Sequence, residues 1–305
     1  NPGDDRELMP LSDMIASFSL EREFFPDFSA SAAFTYCIFD QPNWTLNYWP
    51  DSGKIQSKDD YVEVGKIPDS VGPYSTGEAA GKPYFLLKKE VISTVYRIKM
   101  QRPDYGRDYY EFTLTFNKRM SHNWMANGSF TWCKDSVFYG DNGYLNPTNN
   151  WATAGQPSYA RIPRWMFKLQ GMYRLPLGIN AALTVYGREG WIIDESVTIN
   201  NINAPNSSNR SISVNISKYG SLRLDPLFST SLRLEKALKV ADKGTIYLMA
   251  DVFSLFNAAT IIARSNRSVG TYYVHDGSFV PNAQSFVANE TLAPRHVRFG
   301  LRFEF

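Results

Sequence analysis

The protein has 305 residues, with 32 Lys and Arg against 30 Asp and Glu, for a net charge of +2. This balance, without any run of basic residues, argues against a nucleic-acid partner. No apolar run approaches the ~18 residues that a transmembrane helix needs. A search for apolar runs does not detect transmembrane β-strands, because their apolar and polar residues alternate.

The first part of the chain contains two segments in which apolar and polar residues alternate, as they do in β-strands. The first segment runs near Ser12 to Phe24, and the second, Phe28 to Cys37, follows a tight turn at Pro26-Asp27. A long polar loop extends from about Asp40 to Gly81. The region from Tyr84 to Met100 has strand-like composition, but its alternation is too weak to place its strands.

The rest of the chain repeats an order of strand, short turn, strand and long loop. The predicted strands are Tyr110–Asn117, Trp124–Trp132, Trp165–Arg174, Ile179–Val185, Ser229–Glu235, Thr245–Phe256 and Arg295–Phe305. The predicted short turns are Ser121–Asn123, Pro176–Gly178 and Asp242–Gly244. The further long loops are about Lys134 to Ile162, about Trp191 to Tyr219, and the stretch that ends at Pro294.

Turn lengths and aromatic spacing together predict an all-β, antiparallel transmembrane β-barrel. Tight turns at one end and long loops at the other are typical of outer-membrane barrels. Aromatic residues also recur eight positions apart on the apolar face, as Phe28 and Tyr36, Trp124 and Trp132, and Trp165 and Tyr173. Eight tilted residues span roughly 20 Å, close to the height of a lipid-facing band. Ordinary aromatic packing in a two-sheet sandwich is the alternative.

The final strand has an apolar face that ends on an aromatic residue at the C-terminus. Phe299, Leu301, Phe303 and Phe305 lie on that face. The pattern resembles the assembly signal of bacterial outer-membrane proteins, and this resemblance implies the barrel assembly machinery as a partner. The two cysteines, Cys37 and Cys133, each lie in a strand pattern; we expect unlinked fillers, with a disulfide as the alternative.

The number of strands carries a separate prediction. If the C-terminus and the short turns are periplasmic, the chain enters at Ser12 from outside, and the strand count is odd, nine or eleven. This requires zero or two strands between Tyr36 and Tyr110. Closed single-chain bacterial barrels have an even number. Residues 1–305 are therefore expected to form the C-terminal part of a larger barrel, or one piece of a split barrel.

Several short motifs resemble one family. They are Asn-Lys-Arg-Met-Ser-His-Asn-Trp (117–124), Tyr-Arg-Leu-Pro-Leu-Gly-Ile (173–179), Tyr-Gly-Arg-Glu-Gly (186–190), Leu-Arg-Leu-Glu-Lys (232–236), Ala-Asp-Val-Phe-Ser-Leu-Phe-Asn (250–257) and the terminal residues 294–305. Their order and spacing are similar to those of TonB-dependent outer-membrane transporters, in the branch with a carboxypeptidase-regulatory-like N-terminal domain.

The resemblance implies a 22-stranded barrel with an internal plug, located in the outer membrane of a Gram-negative bacterium. This chain would supply the C-terminal 9–11 strands, without the plug or the segment that contacts TonB. Its partners would be outer-membrane lipid, the rest of the barrel and plug, and the TonB complex through that plug. The rival hypothesis is a passive porin-like, structural or adhesive barrel that acts without TonB. The sequence does not distinguish among a siderophore, cobalamin, a glycan and a peptide as the transported ligand.

Two groups of candidate residues follow. On the luminal faces of the last three strands lie Arg233, Glu235, Asp251, Arg298, Arg302 and Glu304. These charges either pair with one another to hold the strands in register or contact the plug and exchange partners when it moves. In the predicted extracellular loops lie Trp44, Tyr48, Trp49, Tyr144, Trp151, Tyr272, Tyr273 and His275. Flat aromatic rings can stack on a bound ligand. The alternative role of these residues is to pack within their loops or to belong to an aromatic girdle at the membrane surface.

Catalysis is not expected. The three histidines are His122 in a predicted turn, His275 in a loop and His296 on the closing strand. No serine lies in a nucleophile-elbow motif, and no His, Cys or carboxylate spacing suggests a metal site. We therefore predict no catalytic residues, no metal and no cofactor.

Overall fold

A computed structural model of the protein describes residues 12–40, 43–89, 96–101, 105–139, 146–153, 163–200, 202, 211–240, 244–264, 268–285 and 287–305. The strands of these residues are β1 (Ser12–Phe25), β2 (Phe28–Asp40), β3 (Asn43–Trp49), β4 (Lys54–Ile55), β5 (Tyr61–Lys66), β6 (Ser70–Val71), β7 (Tyr74–Ser75), β8 (Pro83–Leu87), β9 (Tyr96–Gln101), β10 (Tyr105–Ser121), β11 (Trp124–Tyr139), β12 (Trp165–Leu175), β13 (Ile179–Arg188), β14 (Ile192–Ile193), β15 (Ser196–Asn200), β16 (Ser211–Asn215), β17 (Leu222–Arg223), β18 (Leu227–Lys239), β19 (Thr245–Phe253), β20 (Ile261–Arg264), β21 (Ser268–Tyr273), β22 (Phe279–Pro281), β23 (Ala288–Thr291) and β24 (His296–Glu304).

In the described residues, helical structure is confined to single turns. The 3₁₀ turns are Lys58–Asp60, Gly77–Ala79, Pro147–Asn149 and Pro176–Gly178, and one α-helical turn, α1, covers Asn150–Thr153. Across the described ranges, every helix is too short to cross a bilayer.

Nine long strands form one antiparallel sheet, which we call the wall sheet. Its order is β1-β2-β10-β11-β12-β13-β18-β19-β24. Strand β2 pairs directly with β10, with Phe34 opposite Phe112, so the described residues between them add no strand to the wall. The predicted antiparallel all-β fold is confirmed, and of the nine or eleven strands expected in the wall, the described residues form nine. The region from Tyr84 to Met100 supplies β8 and β9, which belong to smaller sheets.

Tight turns lie at one end of the wall sheet. Asp27, His122, Asn123 and Leu177, in the turns after β1, β10 and β12, all have positive φ. Two successive residues with positive φ, as at His122-Asn123, form the kind of two-residue turn whose twist matches that of a hairpin. The long connections all leave the opposite end of the sheet.

The two faces of the wall sheet differ in character. On one face, here called the apolar face, large side chains are open to the surroundings, among them Phe18, Leu114, Leu169 and Phe299. The opposite, polar face carries hydroxyl groups and charges, such as the Thr113 and Thr131 hydroxyls, which bond across β10 and β11 at 3.1 Å. Contiguous apolar surfaces of this extent are rare on soluble monomers and mark contact with lipid or a partner.

The two cysteines lie on the polar face. Cys37 on β2 and Cys133 on β11 are both buried and unlinked. Strand β10 separates them, and neighbouring strands are about 4.8 Å apart, so the two sulfur atoms are beyond the reach of a disulfide. The expectation of two unlinked fillers is confirmed.

The long connections fold together into a second unit, the loop cap, which we define as the described residues of 43–101, 146–153, 189–226 and 254–295. Strand β15 pairs in parallel with β21, joining two of the connections. The buried core of this unit contains Ile67, Val71, Ala79, Tyr84, Leu86, Val197, Ile199, Ile202, Val214, Ile216 and Val269. These residues come from three different connections, so the loops at this end of the wall form one packed body.

Candidate functional site

Three charged residues meet on the polar face beside the last strand. Arg233, Asp251 and Arg298 lie directly opposite one another on β18, β19 and β24. Arg233 donates from Nε and Nη2 to the two Asp251 oxygens at 2.5 and 3.1 Å. Arg298 donates from Nε and Nη2 to Asp251 Oδ2 at 2.9 and 2.7 Å. One buried carboxylate thus holds two guanidinium groups, and we call this cluster the luminal triad.

The luminal triad carries an excess of positive charge. The side chains of Arg233 and Arg298 are 47% and 61% exposed, whereas Asp251 is buried between them. Each guanidinium has five N–H donors, and the bonds to Asp251 use the Nε and Nη2 groups. The Nη1 groups can therefore donate hydrogen bonds to a further acceptor on this face. Charge-assisted hydrogen bonds of this kind are strong, yet they exchange readily in water.

The other three predicted luminal residues do not join the triad. Glu235 accepts a hydrogen bond from Asn180 Nδ2 at 3.3 Å, on the neighbouring strand β13. The Arg302 guanidinium lies 4.1 Å from the centroid of the Tyr247 ring, and Glu304 hydrogen-bonds the same tyrosine. The structure thus divides the six predicted charges into the triad, a Tyr247 group and a separate glutamate.

A second polar-face pair was missed from the sequence. Arg107 on β10 donates to both carboxylate oxygens of Asp135 on β11, at 2.7 and 2.6 Å. The predicted strands began at Tyr110 and ended at Trp132, short of both residues. Asp135 was therefore assigned to a loop, and Arg107 was assigned to no element. Extending the alternation to the observed ends of β10 and β11 would have placed them on one face.

A third charged cluster lies where the wall strands β12 and β13 meet the loop cap, and we call it the rim clamp. Glu189 follows β13 directly and accepts hydrogen bonds from the backbone N and Nε of Arg164 at 2.7 and 2.8 Å. Arg223 Nη1 approaches the same carboxylate at 3.0 Å and also donates to the Gly190 carbonyl at 3.2 Å. Gly190 has no room for a side chain, because a Cβ there would lie 1.8 Å from the Leu224 carbonyl oxygen.

The electrostatics of the rim clamp follow from burial and pairing. Burial by itself raises the pKa of the Glu189 carboxyl, but the hydrogen bonds from Arg164 outweigh it and hold that pKa below its ordinary value. The same bonds raise the pKa of Arg164, whereas burial lowers the pKa of Arg223. Glu189 is therefore a carboxylate at neutral pH and the central acceptor of the clamp.

The predicted ligand-contact aromatics are scattered over the loop cap. Trp49 is 1% exposed, and Trp151 and Tyr272 pack against the cap core, so these rings are part of the packing. Tyr48 lies on β3 opposite Ile55. Trp44 belongs to the same strand, and Tyr144 lies outside the described residues.

One short hairpin brings two of the candidates together. The rings of Tyr273 and His275 meet edge to face, with centroids 6.1 Å apart. His275 Nε2 lies 3.1 Å from a carboxylate oxygen of Asp276, and both side chains are about half exposed. This tip is the place where predicted contact residues are both neighbouring and accessible.

Comparison with known proteins gives matches in structure alone: no family model and no curated protein matches the sequence. The chain aligns over 98% of its length with the ferripyoverdine receptor of the Pseudomonas aeruginosa outer membrane, at 10% identity and a TM-score of 0.48. The outer membrane transporter YddB from Escherichia coli aligns over 97% of the chain, at 13% identity and a TM-score of 0.45. The FrpB iron transporter from Neisseria meningitidis aligns over 95%, at 10% identity and a TM-score of 0.44.

The chain spans a third or less of each of these proteins, covering 28%, 33% and 30% of their lengths in the same order. Each of these three proteins is described as a receptor or a transporter.

Proposed function

We propose that this chain forms part of the wall and the outer cap of a TonB-dependent transporter in the outer membrane of a Gram-negative bacterium. The observation that carries the proposal is the division of one nine-stranded sheet into an apolar face and a charged face, with folded loops at one end alone. In a transmembrane barrel the first face contacts lipid, the second lines the lumen, and the long loops lie outside the cell.

The free edges of the wall sheet support a larger barrel. Strands β1 and β24 each pair with one neighbour among the described strands. An unpaired strand edge in a lipid bilayer leaves backbone groups without partners, at a cost of several kcal/mol each. We therefore propose that further strands cover both edges, from the same chain or from another.

The luminal triad is proposed as a contact for the plug. Its exposed Arg233 and Arg298 guanidiniums suit carboxylate or carbonyl groups on a domain that fills the lumen. Because these bonds exchange readily in water, a plug held this way stays movable. The transported ligand is proposed to be scarce and bulky, with first contact at the Tyr273–His275 tip of the loop cap.

Uptake in the presence and absence of TonB tests the proposal. Strains that lack this protein, or lack TonB, would be compared for uptake of a siderophore, cobalamin, a glycan and a peptide. We expect uptake of one of these ligands to be lost in both strains. Uptake that depends on the protein but continues without TonB would overturn the proposal in favour of a passive pore.

A pair of arginine variants tests the luminal contact. Arg298→Ala removes a triad guanidinium, whereas Arg302→Ala on the same strand removes an arginine that stacks on Tyr247. We expect uptake to fall more in the Arg298→Ala variant at equal amounts of folded protein. Equal effects of the two changes would contradict a special role for the triad.

A further inference from the structure

The Tyr273–His275 tip of the loop cap lies in a turn that is closed by its own hydrogen bonds. Tyr273 N donates to the Ser278 carbonyl and Gly277 N donates to the Tyr273 carbonyl, both at 2.9 Å. Ser278 N also donates to Asp276 Oδ1 at 2.9 Å. These bonds fix the shape of the tip, whereas its position depends on contacts with other segments of the cap.

The two strands that flank the tip, β21 and β22, are held in different ways. Strand β21 pairs in parallel with β15, where Tyr273 lies opposite Asn200. Val274 N then donates to the Asn200 carbonyl at 3.2 Å. Strand β22 has β21 as its one neighbour among the described strands. The position of β22 therefore depends on its side chains.

Phe279, the first residue of β22, contacts a distant part of the cap. Its ring is partly buried against the core of the cap. It meets the ring of Tyr74 at 60°, with centroids 5.8 Å apart. Because Tyr74 belongs to β7, this contact joins the connection between β19 and β24 to the connection between β2 and β10.

Two glycines leave the space that the Phe279 ring fills. A Cβ at Gly72 would lie 2.8 Å from Phe279 Cγ, and a Cβ at Gly270 would lie 2.5 Å from Phe279 Cζ. Both distances are well below van der Waals contact. Gly72 also has a φ of +58°, as the first residue of the two-residue turn between β6 and β7, a position that favours glycine. Cγ is attached to Cβ, so the ring cannot avoid a side chain at Gly72 by turning about its own axis.

We propose that Phe279 is a positioning residue for ligand capture, because its contact with Gly72 sets where Tyr273 and His275 lie on the cap surface. The proposal rests on the tip being the first ligand contact, as proposed above. Phe279 directly follows Ser278, the last residue of the turn, so a displacement of the ring moves the tip. Gly72 thereby affects ligand affinity without lying at the tip.

Amide hydrogen exchange in the intact protein tests whether Gly72 positions the tip. Gly72→Ala places a Cβ against Phe279 Cγ, and exchange of the Tyr273–Ser278 amides should become about tenfold faster. Gly77→Ala is the matched control, because Gly77 also has a positive φ, of +50°, and outside its chain neighbours no atom of the described residues lies within 4 Å of its Cβ. The tip of that variant should exchange at the wild-type rate. Equal exchange in the two variants would overturn the proposal.

A double-mutant cycle tests the contact itself. Phe279→Ala removes the ring and should also speed exchange at the tip. Because the ring is then absent, adding Gly72→Ala to Phe279→Ala should have no more effect than adding Gly77→Ala. Full additivity of Gly72→Ala and Phe279→Ala would contradict a direct contact between the two residues.

Uptake kinetics separate positioning from a purely structural role. The probe is the siderophore, cobalamin, glycan or peptide that the comparison with the TonB-deficient strain identifies. At equal amounts of folded protein, Gly72→Ala should raise the KM of uptake about fivefold with an unchanged maximal rate, and His275→Ala should do the same. A merely structural Phe279 would change the amount of folded protein instead of the KM.

The two hypotheses fail in different ways. An unchanged KM in the His275→Ala variant would contradict the tip as the ligand contact, and with it the proposal on which this one rests. A raised KM in the His275→Ala variant, together with an unchanged KM in the Gly72→Ala variant, would contradict the positioning role of Phe279 alone.

Discussion

The wall sheet and the loop cap bury their apolar residues in opposite ways. The wall turns large side chains such as Phe18, Leu114 and Phe299 outward, and its order comes from a continuous ladder of nine strands. The cap has an interior core in which Val197, Ile199 and Val214 are fully buried. The difference indicates that one chain is adapted to two surroundings: an apolar medium around the wall and water around the cap.

A charged cluster, the rim clamp, lies at the joint between the two regions. At the rim clamp, Glu189 lies at the end of a wall strand and binds arginines from two flanking segments. Each of these bonds joins segments that flank the wall strands, so the clamp holds the edge of the cap to the end of the wall. Variants in the cap, wall and joint should therefore have separable effects.

The largest effect is expected in the cap core. Ile199→Asp places a charge at a fully buried position of β15, which should destabilise the cap by more than about 4 kcal/mol. Limited proteolysis should then cleave the cap, while the wall keeps its strand signal in circular dichroism. Thr198→Asp, on the half-buried side of the same strand, is the control and should resist the protease. Loss of the wall together with the cap would show that the two regions fold as one unit.

A smaller loss of stability is expected for substitutions in the wall sheet. Its size depends on whether the new side chain lies on the apolar or the polar face. Leu169→Arg puts a charge on the apolar face of β12, which should cost about 2–4 kcal/mol near the bilayer centre. Gln170→Arg, on the next residue, points to the polar face and should be nearly neutral. Unfolding in lipid vesicles, followed by a gel shift, measures both. Equal destabilisation by the two changes would show that lipid does not contact the apolar face.

The smallest effect is expected at the rim clamp. Glu189→Gln removes the shared acceptor of Arg164 and Arg223 and should loosen the cap by about 2 kcal/mol, since Arg164 is largely exposed. Because the folded pKa of Glu189 is lowered, its contribution is present above the ordinary glutamate pKa of about 4.3 and is lost as the pH falls through the lower folded value.

Protease resistance of the cap between pH 7 and pH 3 measures this contribution. The cap of the wild type should lose protease resistance as the pH approaches 3. The cap of the Glu189→Gln variant should be less resistant than the wild type at pH 7, and its resistance should change less on acidification. Glu290→Gln, on the exposed strand β23, is the matched control and should behave as the wild type. A variant with the wild-type pH profile would rule out Glu189 as the titrating group.

The candidate site was predicted in part. Arg233, Asp251 and Arg298 were placed on one face of the last strands because alternation fixes which residues share a face, and the structure joins these three through a single carboxylate. The rim clamp could not be predicted, since its residues come from two separate loops. Trp49 was proposed for ligand contact, but burial in the cap is decided by partners distant in sequence.

The sequence by itself determined most of the wall: its strands, the tight turns, the side on which each residue lies and an odd strand count of nine or eleven. The direct pairing of β2 with β10 then decided nine. Period-two alternation and turn residues are local signals, and antiparallel neighbours follow from short connections. Only the tertiary structure decided the loop cap, with its parallel pairing of β15 and β21 and its core drawn from three connections. Those contacts join segments about seventy or more positions apart in the chain. Local periodicity carries no information about which distant segments pack together.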